Sequence, residues 1–233
     1  MDRQTELLEK EDPRYFAIDK FNTGLISVAK IEKINGKYLS FGLPSSSALF
    51  LNMALNSYNQ VKLIKIEECF DDHPQGTWPD NHKMLFDFFE LMMSQIVFSF
   101  TAIETFANIA IPEKYIYRHQ RTDKKYTEEY SKYQAEQNLK LDVKLDKILP
   151  EIYSVKSPIG TKLWEKFQHH KKIRDRLIHL KSSDMSASGP EIKTIWGDLI
   201  RNQKVNYSEQ SHQLIGHYFS KNGGSRWFKK FPY

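Results

Sequence analysis

Between Pro79 and Pro112 lies the stretch NHKMLFDFFELMMSQIVFSFTAIETFANIAI, free of glycine and proline and apolar on nearly every face of a helix. A helix of that kind has to be covered on all sides, which places it at the centre of a helical bundle. A membrane is the competing environment. The longest run without a formal charge, Leu91–Ile103, is thirteen residues and is bracketed by Asp87, Glu90 and Glu104. That falls short of the roughly 18–20 residues a spanning helix needs, so no membrane partner is expected.

The rest of the chain has to supply the cover. At 233 residues with 40% hydrophobic and 27% charged side chains, it is long enough for one ordinary soluble domain, or one with an extension. A single cysteine, Cys69, excludes an internal disulfide framework and favours a reducing compartment. The polar N-terminus MDRQTELLEKED lacks the apolar run of a signal peptide, so a cytoplasmic location is expected.

Residues 1–20 read as a polar arm. In LISVAKIEKINGKYLSF (25–41) two signals conflict: Asn35-Gly36 favours a hairpin, whereas apolar residues at 25, 28, 31 and 34 step by three and tip the reading weakly to helix. Ser45–Ser47 offer N-caps for a helix running on towards Glu68, and 71–82 read as a loop. The tyrosine-rich 113–137 reads as an excursion or charged helix, and 139–150 as a short helix stopped at Pro150. Helices are further expected at about Thr161–Lys181, Glu191–Arg201 and Ser208–Ser220, the last ending before Asn222-Gly223-Gly224. The expected class is all-α.

Charge is uneven. Lys162, Lys166, Lys171, Lys172, Arg174, Arg176 and Lys181 face only Glu165 and Asp175 within 162–181, a local excess that equals the +5 of the whole chain. Lys221, Arg226, Lys229 and Lys230 crowd the C-terminus. A polyanion partner, RNA above all, competes here with a solvated helix face and a loose tail. Within this segment, RDRLIH (174–179) puts a histidine five positions after an arginine.

This pattern resembles the R-x(4–6)-H signature of HEPN domains. The resemblance also rests on FTAIETFANIAIP (100–112) and KLDKILPEI (144–152), and covers about residues 79–182. It implies a HEPN-like antiparallel helical bundle; the expected domain runs over 79–233, with residues 1–78, of which the resemblance assigns none of 1–70, as an N-terminal extension packed on it. It implies metal-independent cleavage of RNA (tRNA or mRNA) by a homodimer with a composite cleft, without a cofactor. The setting would be a toxin or phage-defence effector with a cognate antitoxin. The alternative is a catalytically inactive module that binds RNA, a nucleotide or a protein.

The chemistry suits the residue types. Histidine titrates near neutrality and moves protons, while arginine forks onto the phosphate oxygens where charge develops. Asp175, where the family often has asparagine, lies four residues before His179 and on one helix would share its side and orient the ring. Arg174 and His179 would stand about 140° apart on that helix, which a facing second copy would resolve. Glu104 and Asn108 are expected to support the site, with Arg174 or Arg176 as a register-fixing partner of Glu104. Lys171, Lys172, Arg176 and Lys181 are expected to hold the RNA backbone, and His169-His170 to extend the basic face. Tyrosines 115, 117, 126, 130 and 133 are open to two readings, stacking on bases or half-buried packing.

Overall fold

The computed structural model describes residues 12–15, 17–19, 25–27, 29–70, 82–120, 126–221 and 223–233. The chain is mostly helical, with three two-stranded antiparallel hairpins. Strands β1 (Ala17–Asp19) and β2 (Leu25–Ser27) pair first, followed by β3 (Ala29–Ile34) and β4 (Lys37–Gly42). The weak helical reading of 25–41 is therefore corrected. Asn35 and Gly36 both take positive φ, 50° and 78°, the backbone of a tight two-residue hairpin turn. The turn chemistry prevails because the residues carrying the three-step pattern bury little: Ile31 and Ile34 are exposed.

Helix α1 (Ser46–Val61) starts at Ser45, whose hydroxyl accepts from the Ala48 amide, and gives way to a 3₁₀ turn at Ile66–Cys69. It lies within 1–78, yet its Ala48 and Leu51 share a buried cluster with Phe100, Ile103 and Phe106 of the long helix α2 (His82–Ile109). α2 alone has the length and apolarity of a membrane span among the described residues. Here α1 lines its flank, and the later helices cover other sides. Residues 71–81 of the loop expected at 71–82 and most of the arm 1–20 lie outside the described residues, and His82 already belongs to α2.

The 113–137 segment is a hairpin, β5 (Ile116–Gln120) with β6 (Thr127–Ser131), joined directly to helix α3 (Lys132–Asn138). Tyr117 is buried in the core and Tyr130 packs against it, whereas Tyr126 and Tyr133 are exposed. Next, α4 (Leu141–Val143) widens into a π turn at Lys144–Ile148 and continues as α5 (Leu149–Tyr153). Pro150 thus does not stop the helix. The wider turn sends the Leu149 amide to the Lys144 carbonyl, and Pro150 has no N–H to offer Leu145. The buried Tyr218 hydroxyl donates to the Leu145 carbonyl instead, at 2.6 Å.

Helix α6 (Lys162–Ile178) buries Phe167, His170, Ile173 and Leu177, one inward stripe. A 3₁₀ turn at Ser182–Asp184, α7 (Ile195–Arg201), α8 (Tyr207–Phe219) and α9 (Arg226–Lys229) complete the order. The C-terminal segment is not a loose tail. Trp227 is buried, and the Arg226 guanidinium donates to the Asp12 carbonyl at 3.0 Å. Two apolar clusters result, one around Phe100, Leu145 and Tyr218 and one around Phe88, Met92, Leu177 and Tyr207, with α2 running through both.

Candidate functional site

The inward stripe of α6 fixes how its basic residues emerge. Arg174 follows the buried Ile173 and turns towards α2, where its guanidinium lies 4.4 Å over the Phe100 ring. Nη2 donates to Glu104 Oε1 at 2.7 Å and Nη1 to Asp175 Oδ1 at 2.9 Å. The side chain keeps 25% of its exposure and Glu104 keeps 36%, so the pair sits at the edge of the core. Of the two arginines expected as partners of Glu104, Arg174 is the one that takes it.

The helix stops before the histidine. His179 is the C-cap of α6, with φ −122° and ψ 70°, and its amide donates to the Asp175 carbonyl at 2.9 Å. The expectation that Asp175 orients the ring is corrected, because its carboxylate holds Arg174 instead. The shared helix face required a helix running through residue 179. His179 is exposed, and its ring makes no hydrogen bond among the described residues.

Arg176 is also corrected. Its guanidinium clamps Asp184 through Nη2 at 2.7 Å and Nε at 3.3 Å, and reaches Asp198 and the Lys193 carbonyl. The Asp184 side chain is 0% exposed and also accepts from the Lys181 and Ile195 amides. These donors, Arg176 foremost, hold its carboxyl down at about 2. Arg176 therefore fastens the 180–195 connection rather than meeting solvent. Lys171 pairs with Asp142 at 2.6 Å. Lys172 and Lys181, with Lys162 and Lys166, are exposed and carry no ion pair among the described residues.

His170 does not extend the basic face. It is 1% exposed, against the Phe100 and Tyr207 rings, with Nε2 at 2.9 Å from the Ile96 carbonyl and 3.2 Å from Ser99 Oγ. Burial pulls its pKa down to about 4, so it is neutral at pH 7.

One residue of this region escaped the sequence reading. Lys144, the first of the π turn, is only 5% exposed. Its Nζ donates to Asn108 Oδ1 and to the Glu136 carbonyl, both at 2.8 Å. Burial lowers its pKa, against the pull of Glu136 and Glu104. It lines a cleft of about 390 Å³ together with Thr101, Glu104, Thr105 and Asn108 on the α2 side. Spacings of three and four place those α2 residues on one face. Thus Glu104 joins the two halves of the site: it holds Arg174 with one oxygen and lines the cleft with Lys144 and Asn108. The signal in the sequence was Pro150: a proline inside a helical run forces a local rearrangement one turn earlier.

Compared with protein-family models, curated proteins and solved structures, the chain matches none.

Proposed function

We propose that the protein is a metal-independent endoribonuclease of the HEPN type, acting in the cytoplasm as a homodimer on tRNA or mRNA. A toxin or phage-defence role, with a cognate antitoxin, belongs to the same reading. The observation that carries it is the fixation of Arg174. Glu104, Asp175 and the Phe100 face fix the guanidinium, and the three N–H groups outside those two ion pairs stay available for phosphate oxygens. The end of α6 at Ile178 releases His179 from helical periodicity, so the 140° separation no longer governs the pair.

In the reaction, His179 accepts the 2′-OH proton as the 2′-oxygen bonds to phosphorus. Arg174 stabilises the charge of the pentavalent phosphorane. The bond from phosphorus to the 5′-oxygen then breaks, and that oxygen takes a proton from His179 of the partner subunit. The products are a 2′,3′-cyclic phosphate and a 5′-hydroxyl. Exposed Lys172 and Lys181 hold the flanking backbone.

Purified protein incubated with tRNA in EDTA tests this. Cleavage to cyclic-phosphate ends, lost in Arg174→Ala and in His179→Ala, is the expected result. Equal cleavage by all three proteins, or loss of wild-type cleavage in EDTA, overturns it. A second reading, RNA binding without cleavage, is favoured by one observation: Asp175 is committed to Arg174 and leaves the His179 ring without an orienting group in the monomer. Salt-sensitive RNA binding with no product in the same assay would establish it.

A further inference from the structure

We propose that the cleft beside Arg174 is a base-reading pocket selective for guanine, set next to the scissile phosphate. This deepens the ribonuclease reading and rests on it for its biological setting, although the pocket is testable without cleavage.

The first argument is the donor set. An ammonium group carries three N–H donors, and Lys144 commits two of them, to Asn108 and to the Glu136 carbonyl. The third makes no hydrogen bond among the described residues, and Lys144 lines the cleft. Asn108 accepts from Lys144 through Oδ1, which orients its Nδ2 donors as well. Donors side by side match the O6 and N7 acceptors of guanine, the usual targets of lysine on a base. Adenine would bring its own N6 amino group against them.

The second argument is the acceptor set. Glu104, which lines the cleft, gives Oε1 to Arg174, and its Oε2 takes no hydrogen bond among the described residues. A carboxylate there accepts from N1–H and N2–H of guanine. Cytosine offers it only the N4 amino group, and uracil a single N3–H.

The third argument is shape and local structure. A volume of about 390 Å³ is within the range of small-ligand pockets, and Leu139 and Leu141 supply apolar wall for a ring face. The π turn that drives Lys144 inward is a distortion frequently associated with functional sites.

Calorimetric titration of the full chain with 5′-GMP, 5′-AMP, 5′-CMP and 5′-UMP tests the pocket. GMP is expected to bind at least ~10-fold more tightly than the other three. Asn108→Ala should erase that preference while circular dichroism shows an intact fold. Lys144→Met is less suited alone, because it strips Asn108 and Glu136 of their donor and endangers folding. Equal binding of the four nucleotides, a preference for another base, or an unchanged GMP preference in Asn108→Ala overturns the proposal. If GMP selectivity persists where no RNA is cut, the nuclease reading fails and the pocket stands. If RNA is cut without base preference and the nucleotides bind alike, the pocket fails and the nuclease reading stands.

Discussion

Arg174 and Arg176 stand two residues apart on one helix, each with carboxylate partners, and they do opposite things. Arg176 meets a carboxylate with no exposed surface, whose remaining lone pairs are filled by backbone amides of the 180–195 segment. Arg174 meets Glu104 and Asp175, both still wet, and keeps part of its guanidinium open. A buried ion pair with every lone pair used is a structural lock, whereas a half-exposed pair is an adjustable holder for a cation. What separates the two arginines is the burial of the partner, since their own chemistry is the same.

The sharpest way to break this comparison is at the lock. Asp184→Ala should cost about 3–5 kcal/mol, because it leaves the Arg176 Nε and two backbone amides without their acceptor, and urea unfolding measures it. A loss no larger than that of Glu104→Ala would put the two arginines in one class. Asp184→Asn adds a pH signature. The wild-type carboxyl is depressed to about 2, so its contribution is complete above the ordinary aspartate range and is lost as pH falls from about 4 to about 2. The amide variant should lack that acid-dependent loss.

Burial sorts the histidines of the same segment in the same way. With His170 depressed to about 4, the unfolded chain binds its proton first on acidification. Stability is therefore full above about pH 6.5 and falls towards pH 4, by on the order of 3 kcal/mol. Thermal melts across that window should show a steeper slope in the wild type than in His170→Gln, which keeps only the smaller contribution of the buried His212, whose pKa burial also lowers.

Arg174→Ala tests the holder. Its expected cost in RNA cleavage is about 10²-fold, with a stability loss near 1 kcal/mol, read by single-turnover rates and by urea unfolding. A stability loss comparable to that of Asp184→Ala would make Arg174 a lock as well. The smallest effect is expected at Lys172. Lys172→Ala should leave stability within about 0.5 kcal/mol and reduce the slope of log affinity for RNA against log salt by about one. Fluorescence anisotropy at several salt concentrations reads that slope.

Much of the helical frame was legible in advance. The run 81–111 became α2, Ser45 and Thr161 cap helices as their side-chain oxygens allow, and the closing helices appear close to where they were placed. These features depend on spacing and on neighbours within one or two turns, which a sequence displays directly. The 25–41 hairpin departs from the weakly helical expectation because the Asn-Gly turn sets the backbone, whereas the apolar three-step spacing buries little. The Glu104 partner was anticipated as one of two arginines, and only packing chose between them.

By itself, then, the sequence determined that a long apolar helix must be wrapped by amphipathic ones and that a basic, histidine-bearing helix lies late in the chain. Tertiary structure alone decided which charges of that helix remain free. Lys171, Arg174 and Arg176 are taken by Asp142, Glu104 and Asp184, at separations of 29, 70 and 8 residues, and Lys144 is drawn inside beside Asn108. Ion pairing and desolvation depend on distances across the fold, and those exist only once the helices are docked.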